Sequence, residues 1–443
     1  MKPILLIQGP IATRSGYGDH TRDITKSVID LYSDKYDIKI ISMRWGDCPM
    51  TGLDKSNPDH LKMIHRILKQ PTLPKQPDVF IQVSVPNEFQ KVGKYNIGVT
   101  AGIETTACSM PWIEGLNRMD LNIVPSVHSK HVFDSIAFDR IDRETQAKAG
   151  TLKVETPIEV LFEGLDTAIY KKTNEIPETI KDSLGDIKEQ FCFLFVGHWL
   201  QGAPGHDRKD IFTLIETFCE AFKNKQTKPA LILKTSGATF SIIDRNDMTR
   251  KINSVIQKYG KSAPSVYLLH GDMTQEEING LYNHPKVKAH ISFTKGEGFG
   301  RPLLEASVSQ KPVIATNWSG HIDFLKHSIM LPGELKNVHK TVVWKDVIIP
   351  ESKWFYVNTN FAKKTMKEIV KHYKKSLPAA RLQAKYSNDN FSLDKMTEEL
   401  KKIFEKYVPE PSEQVKLNLP KLNMGSTDTK VPGLKLPKLK KVE

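Results

Sequence analysis

Residues 295–320, KGEGFGRPLLEASVSQKPVIATNWSG, constrain the fold of this chain more than any other segment. They follow an apolar run at residues 287–293, and three glycines at alternate positions separate that run from a stretch rich in leucine and alanine. Glycine permits backbone angles and close approaches that a Cβ would block, and Pro302 suits the first turn of a helix. The segment therefore predicts a strand, a glycine turn, a helix and a second short strand at residues 312–315.

Two carboxylates flank the glycine turn. Glu297 lies at its start, and Glu305 follows eight positions later in the predicted helix. Free backbone amides at the start of a helix bind phosphate. We expect one carboxylate to face a sugar and the other a ribose, while the amides between them hold a diphosphate. The alternative is an ordinary α/β turn with solvated acids.

The sequence EGFGRPLLEAS, followed by KPVIATNWSG, resembles the donor-site signature of the retaining nucleotide-sugar glycosyltransferases that have the GT-B fold. The resemblance implies an α/β protein with two Rossmann-like domains facing across a cleft, a C-terminal helix that crosses back and a flexible basic tail. It implies transfer of a hexose or pentose, with retention, from a nucleotide-diphosphate sugar. A UDP-sugar is the expected donor, and no obligatory metal or other cofactor is expected.

The same resemblance gives roles to the residues of the signature. Glu297 would orient or stabilise the transferred sugar as a catalytic residue, and Glu305 would hold the ribose hydroxyls. Gly298, Phe299 and Gly300 would offer backbone amides to the donor.

Basic residues of the second half are expected at the donor diphosphate. The family carries an arginine after a glycine and a lysine about six residues later; here His198 replaces that arginine, and Arg208 and Lys209 match the later basic pair. Cations stabilise the negative charge of a departing diphosphate, so Lys209 is predicted to be catalytic. The alternative is that Arg208 and Lys209 are surface charges at the start of a helix. Lys234 ends the strand predicted at residues 230–234, and ligands of open α/β sheets bind at such carboxyl ends.

Three residues of the first half are expected in the cleft. Gly16 and Gly18 follow the first predicted strand, and the family's matching glycines lie near the donor phosphates or the acceptor. Glu104 follows the strand predicted at residues 95–101 and is expected to be a catalytic residue whose carboxylate contacts the acceptor or the sugar. The family often has a histidine at this position, and a helix cap is the alternative role for Glu104.

The predicted domain organisation has four parts. An acceptor-side domain covers residues 1–165, a nucleotide-sugar domain covers 166–375, crossing helices cover 376–408 and a flexible tail covers 409–443. Residues 139–153 are expected to be a surface excursion and residues 331–358 to be irregular. The tail contains LNLPKL and LKLPKL at residues 417–422 and 434–439. These repeats are either docking motifs for a protein partner or part of a solubilising tail.

Composition narrows the class of protein. At 443 residues with 39% hydrophobic and 26% charged residues, the chain is expected to be a soluble protein with more than one domain. It contains no apolar run of about 18 residues that would predict a membrane span. Four widely spaced cysteines indicate reduced thiols in a cytoplasmic protein, of the host cell if a phage encodes it.

The acceptor is the least constrained part of the prediction. The net charge is +13, yet residues 1–160 contain about 20 Lys and Arg against 19 Asp and Glu, so the basic excess lies in the later part. A glycan, lipid-linked or protein hydroxyl is the first candidate. DNA with hydroxylated bases is the second, because the lysine-rich chain resembles glycosyltransferases of tailed bacteriophages and basic surfaces attract nucleic acid. A non-catalytic nucleotide-sugar-binding or assembly module is the third.

Overall fold

The computed structural model describes residues 2–142, 144–145, 147–237 and 239–411. Within these ranges, the chain up to Pro409 forms one compact unit. Both LxLPKL repeats of the tail lie outside the described residues.

The strands, in chain order, are β1 (Ile4–Gly9), β2 (Asp37–Ser42), β3 (Val79–Val83), β4 (Tyr95–Val99), β5 (Leu121–Val124), β6 (Ala137–Ile141), β7 (Lys148–Lys153), β8 (Ile158–Val160), β9 (Cys192–Val196), β10 (Ala230–Lys234), β11 (Val266–Leu269), β12 (Val287–Ser292), β13 (Val313–Thr316), β14 (Ile329–Leu331), β15 (Gly333–Asn337) and β16 (Lys353–Val357).

The α-helices are α1 (Gly16–Tyr32), α2 (Pro58–Ile64), α3 (Met110–Leu116), α4 (Val127–Ser135), α5 (Glu178–Ser183), α6 (Ile211–Phe222), α7 (Ile242–Ile256), α8 (Gln275–Asn283), α9 (Arg301–Ser307), α10 (Thr359–Lys371), α11 (Tyr373–Asn390) and α12 (Leu393–Tyr407).

Two six-stranded parallel sheets organise the chain. The first has the strand order β2-β1-β3-β4-β5-β8 and the second has the order β11-β10-β9-β12-β13-β14. The second order is that of a doubly wound Rossmann sheet. Strands such as β1, β3 and β10 are apolar almost throughout because helices cover both faces of a parallel sheet. The predicted α/β fold with two Rossmann-like domains is confirmed.

The last helix returns to the first sheet. Along α12, Leu393, Met396 and Leu400 belong to the same apolar cluster as the strands of the first sheet. The Ser27 and Thr397 hydroxyls lie 2.7 Å apart. Helix α12 thus joins the end of the described chain to its beginning, while its N-terminus stays beside the second domain.

Two segments are more regular than the sequence predicts, and a third, in the region predicted to form crossing helices, has a weak local signal. Residues 139–153 lie largely in the antiparallel pair β6–β7, and residues 331–358 contain the antiparallel hairpin β15–β16. The hairpin buries Trp354 in a small cluster with Val338 and Val342. Helix α11 contains Pro378 and lacks an apolar stripe, since its buried residues are small or polar. Periodicity alone therefore could not reveal it.

The hairpin also links the two domains. The Thr106 amide donates to the Lys353 carbonyl at 3.2 Å, and the Lys353 amide donates to the Thr106 hydroxyl at 2.9 Å. Two positions further on, the Phe355 amide donates to the Lys295 carbonyl at 3.0 Å. The hairpin therefore bridges the loop after β4 and the loop after β12, where the predicted site lies.

None of the helices in the described ranges is both long and apolar enough to cross a lipid bilayer. All four cysteines lie within those ranges, and each is a free thiol.

Candidate active site

A buried ion cluster lies at the loop between β12 and α9. The two carboxylate oxygens of Glu297 bind different cations: Oε1 lies 2.5 Å from Lys209 Nζ, and Oε2 lies 3.0 Å from Arg208 Nη1. Arg208 also donates to the Gly296 carbonyl at 2.9 Å. The three predicted residues therefore form one directly bonded group, although 88 positions separate Lys209 from Glu297.

The cluster fixes the ionisation of Glu297. Burial by itself would raise the pKa of this carboxyl, but the charges of Lys209 and Arg208 outweigh it and lower the pKa to about 2. Burial lowers the pKa of Lys209, and Glu297 opposes that shift. Glu297 is consequently a permanent anion near neutral pH and cannot act as a general acid there.

A second buried ion pair shapes the loop that presents the two cations. Lys295 is fully buried, and its ammonium lies 2.8 Å from Asp210 Oδ1. It also donates to the carbonyls of Gly205 and Asp207, each at 2.9 Å. Asp210 has a positive φ of 52° where the loop enters α6. Lys295 thus ties the loop at residues 205–210 to the strand end that carries Glu297.

Glu104 reaches this cluster from the first domain. Its carboxylate lies 3.8 Å from Arg208 Nε, and its side chain is 37% exposed. The two backbones also touch here: a Cβ on Gly296 would lie 1.9 Å from the Glu104 carbonyl, and one on Gly298 would lie 1.9 Å from the Ala101 carbonyl. These glycines are required because the domains meet backbone to backbone.

Glu305 belongs to a different buried cluster on α9. Its carboxylate accepts a hydrogen bond from Tyr282 at 3.2 Å and one from Arg301 Nε at 3.2 Å. Arg301 also forms a buried ion pair across the domain junction with Asp23 of α1. Burial raises the pKa of Glu305 to about 7 despite the opposing charge of Arg301.

Glu163 faces the same cluster from the segment between the domains. It is buried, and burial raises the pKa of its carboxyl to about 8, with Arg301 opposing and Asp23 adding to the shift. Sequence reasoning missed Glu163, Asp23, Arg301 and Tyr282 as parts of the site. Only Arg301 carried a local signal, since it lies inside the glycine-rich segment itself.

His198 and Lys234 lie at the ends of adjacent strands. His198 Nδ1 is 3.2 Å from the Gly237 carbonyl, and burial lowers its pKa, with the charges of Lys209 and Lys234 adding to the shift. Lys234 donates to the Gly271 carbonyl at 2.6 Å. His198 therefore lies near both Lys209 and Lys234, and neither His198 nor Lys234 forms a hydrogen bond or an ion pair with Glu297.

The predicted glycines and Phe299 have separate surroundings. Gly18 is buried against Thr13, where a Cβ would lie 2.3 Å from the carbonyl oxygen, while Gly16 is exposed at the start of α1. Gly300 has a φ of 102°, which favours glycine, and precedes α9. The Phe299 side chain is buried against Phe324, so only its backbone is available to a ligand.

The comparisons with known proteins agree with this architecture. Residues 179–337 match the family Glycosyl transferases group 1. None of the curated protein sequences compared with the chain is significantly similar to it.

Solved structures share the fold at low sequence identity. A glycosyltransferase from Rickettsia africae has 14% identity and a TM-score of 0.61, covering 93% of this chain and 100% of its own. Alr3699/HepE of Anabaena, in complex with UDP and glucose, has 14% identity and a TM-score of 0.59, with 91% and 100% covered. Sucrose-phosphate synthase of Thermosynechococcus elongatus has 13% identity and a TM-score of 0.56, with 92% and 99% covered. The chain therefore has the GT-B fold, and its residues 179–337 are similar to the Glycosyl transferases group 1 domain.

Proposed function

We propose that this protein is a retaining glycosyltransferase that moves a sugar from a nucleotide-diphosphate sugar to a hydroxyl group of a glycan, a lipid-linked sugar or a protein. The observation that carries the proposal is the buried cluster of Glu297, Arg208 and Lys209 at the junction of the two domains. Glu297 binds both cations there, and the partly exposed Glu104 lies 3.8 Å from Arg208. Arg208 and Lys209 are the cations that an incoming diphosphate would meet.

The charges suit departure of a nucleoside diphosphate. As the bond from the anomeric carbon to the diphosphate breaks, negative charge grows on the leaving oxygen, and Arg208 and Lys209 stabilise it. Glu297, being anionic, stabilises the positive charge that develops on the sugar ring. The acceptor oxygen bonds to the anomeric carbon, and its proton passes to the leaving phosphate oxygen. This route needs no protonated carboxyl group and no obligatory metal.

The remaining predicted residues fit positions around that centre. Glu104 lies on the first-domain side of Arg208 and is exposed enough to meet an acceptor. Glu305, on α9, would accept hydrogen bonds from the ribose hydroxyls. Gly298, Phe299 and Gly300, between the two glutamates, would offer backbone amides. The UDP bound in the Anabaena structure makes UDP-sugars the first donors to test here.

The experiment is a donor and acceptor panel with radiolabelled UDP-, GDP- and ADP-sugars. The acceptors are a mixed glycan pool, unmodified DNA and duplex DNA with hydroxymethylated bases. We expect label on glycans; label confined to modified DNA would replace the glycan acceptor with DNA. Product anomers, determined by NMR, test retention.

The site assignment is tested with Glu297→Gln, which keeps the shape and removes the charge. Loss of one group made for the transition state typically lowers kcat by about 10²–10³-fold. Glu175→Gln changes an exposed glutamate of the same domain and should leave kcat unchanged. Unaltered turnover in Glu297→Gln would refute the site, and absence of both turnover and nucleotide binding in folded wild-type protein would refute the proposed function.

A further inference from the structure

An open cavity of about 680 Å³ lies outside the site described above. One wall is the loop that precedes Arg208, represented by His206, and the other is the β15–β16 hairpin and the turn after β15. Lys336, His339 and Lys340 come from that second wall, and Tyr356 of β16 completes it. Its volume lies within the roughly 300–1,000 Å³ typical of small-molecule sites.

The lining is basic. Lys336 and Lys340 border the cavity, and the buried ammonium of Lys295 lies behind it, 4.8 Å from the centroid of the Tyr356 ring. No carboxylate is among the described residues that line the cavity. Outside the lining, Glu334 lies 2.7 Å from Lys336 Nζ. A negatively charged ligand is therefore the complement of this cavity.

Two histidine rings stack at the cavity wall. The rings of His206 and His339 are 4.0 Å apart with an angle of 15° between their planes. His339 Nδ1 accepts from the Thr341 amide at 3.3 Å, which leaves the proton on Nε2. His206 Nδ1 is buried and has no hydrogen-bond partner among the described residues.

The cations around the stacked rings oppose protonation of His206. Burial lowers the pKa of His206, and the charges of His339 and Lys295 lower it further. The charged groups around the pair are Lys295, Lys336 and Lys340, with Asp207 and Asp210 beyond Lys295 and Glu334 beyond Lys336. An anion in the cavity would offset the positive charge around His206.

We propose that this cavity binds a small phosphorylated ligand, such as a sugar phosphate, through His339, Lys340 and Lys336. These side chains donate charge-assisted hydrogen bonds, which are the strong ones for phosphate oxygens. The rest of the ligand lies against the Tyr356 ring. Binding of this ligand does not depend on the proposed function.

The cavity shares its loop with the candidate active site. His206 lies two positions before Arg208, and Lys295 holds the carbonyls on both sides of His206. A ligand that fixes His206 therefore stabilises the loop conformation that places Arg208 and Lys209 against Glu297. If the protein is a glycosyltransferase, a phosphorylated ligand at this cavity regulates it through the donor loop.

The test uses the full chain labelled with ¹³C-histidine and titrated with glucose 6-phosphate, inorganic phosphate or glucose. We expect the His206 and His339 ring signals, assigned with His206→Gln and His339→Gln, to shift saturably with glucose 6-phosphate and not with glucose. The apparent pKa of His206 should rise in the bound state. Absence of a saturable shift at either histidine overturns the proposal.

Variants separate this cavity from the donor site, where phosphate could also bind. Lys340→Ala should weaken binding of glucose 6-phosphate about tenfold, whereas Lys345→Ala, an exposed lysine of the same segment, should not. Lys209→Met should retain the histidine shifts. Binding that survives Lys340→Ala and disappears in Lys209→Met would assign the phosphate to the donor site and overturn the proposal.

Discussion

Replacement of Arg301 by methionine tests the buried charges that join the two domains. Arg301 is the partner of both Asp23 in the first domain and Glu305 in the second. Methionine keeps much of the aliphatic volume but leaves two buried carboxylates without a cation. Such carboxylates take up protons rather than stay charged.

The magnitude follows from the proton uptake. Holding Asp23 neutral at pH 7, against an unfolded pKa of about 3.9, costs about 4 kcal/mol, and the same step costs about 1.5 kcal/mol at pH 5. These values are upper limits for the variant, because burial already raises the pKa of Asp23 in the wild type. Glu305 adds less because burial already raises its pKa to about 7. We therefore expect Arg301→Met to lower the free energy of unfolding by roughly 3–5 kcal/mol at pH 7, which is the range measured when buried ion pairs are broken. At pH 5 the loss should be less than half as large.

The assay is urea unfolding monitored by circular dichroism at both pH values. Lys385→Met is the matched control, because Lys385 pairs with Asp389 on an exposed helix surface with side chains 74% and 53% exposed. That change should cost about 0.5 kcal/mol or less. The double variant Asp23→Asn/Arg301→Met should lose less than the sum of the single variants. A loss below about 1 kcal/mol at pH 7, or an equal loss at both pH values, would refute the reasoning.

Two further predictions concern burial and backbone contact. The folded-state pKa values of Glu163 and Glu305, about 8 and about 7, lie above the unfolded values of these carboxyl groups. The stability that the two groups contribute is therefore complete below about pH 4 and is lost as the pH rises through 7 and 8. Thermal unfolding of wild type should therefore shift to lower temperature between pH 6 and pH 9, and Glu163→Gln should flatten that dependence; an unchanged slope contradicts the assignment. Gly298→Ala places a methyl group 1.9 Å from the Ala101 carbonyl and should separate the domains, which small-angle scattering would record as a larger radius of gyration. Gly16→Ala, whose methyl group meets open space, should leave the scattering unchanged, and identical profiles for both variants would contradict the prediction.

Local segments made the fold predictable. The glycine turn, the start of α9 and strand β13 are consecutive in the chain, so the order of residue types alone specified them. Buried parallel strands are short apolar runs bounded by polar residues, and β1, β10 and β12 appeared at the expected places. The resemblance then supplied the roles of Arg208 and Lys209, which the structure places against Glu297; those roles stay a prediction.

Other elements had weak local signals. Helix α11 contains Pro378, and Gln383 on its buried side donates to the Phe324 carbonyl at 2.7 Å and accepts from the His327 amide at 2.8 Å. Tertiary hydrogen bonds hold this helix where an apolar stripe would usually do so. The β15–β16 hairpin likewise depends on the burial of Trp354.

The sequence by itself determined the two parallel sheets and the segment that carries Glu297 and Glu305, because apolar runs, glycines and helix starts act over a few neighbouring residues. Only the tertiary structure decided the charges within the site. Asp23 and Arg301 are 278 positions apart, and the shifted pKa values of Glu163 and Glu297 depend on which charges folding buries beside them. Burial and electrostatic pairing are properties of distance in space, and a sequence records only distance along the chain.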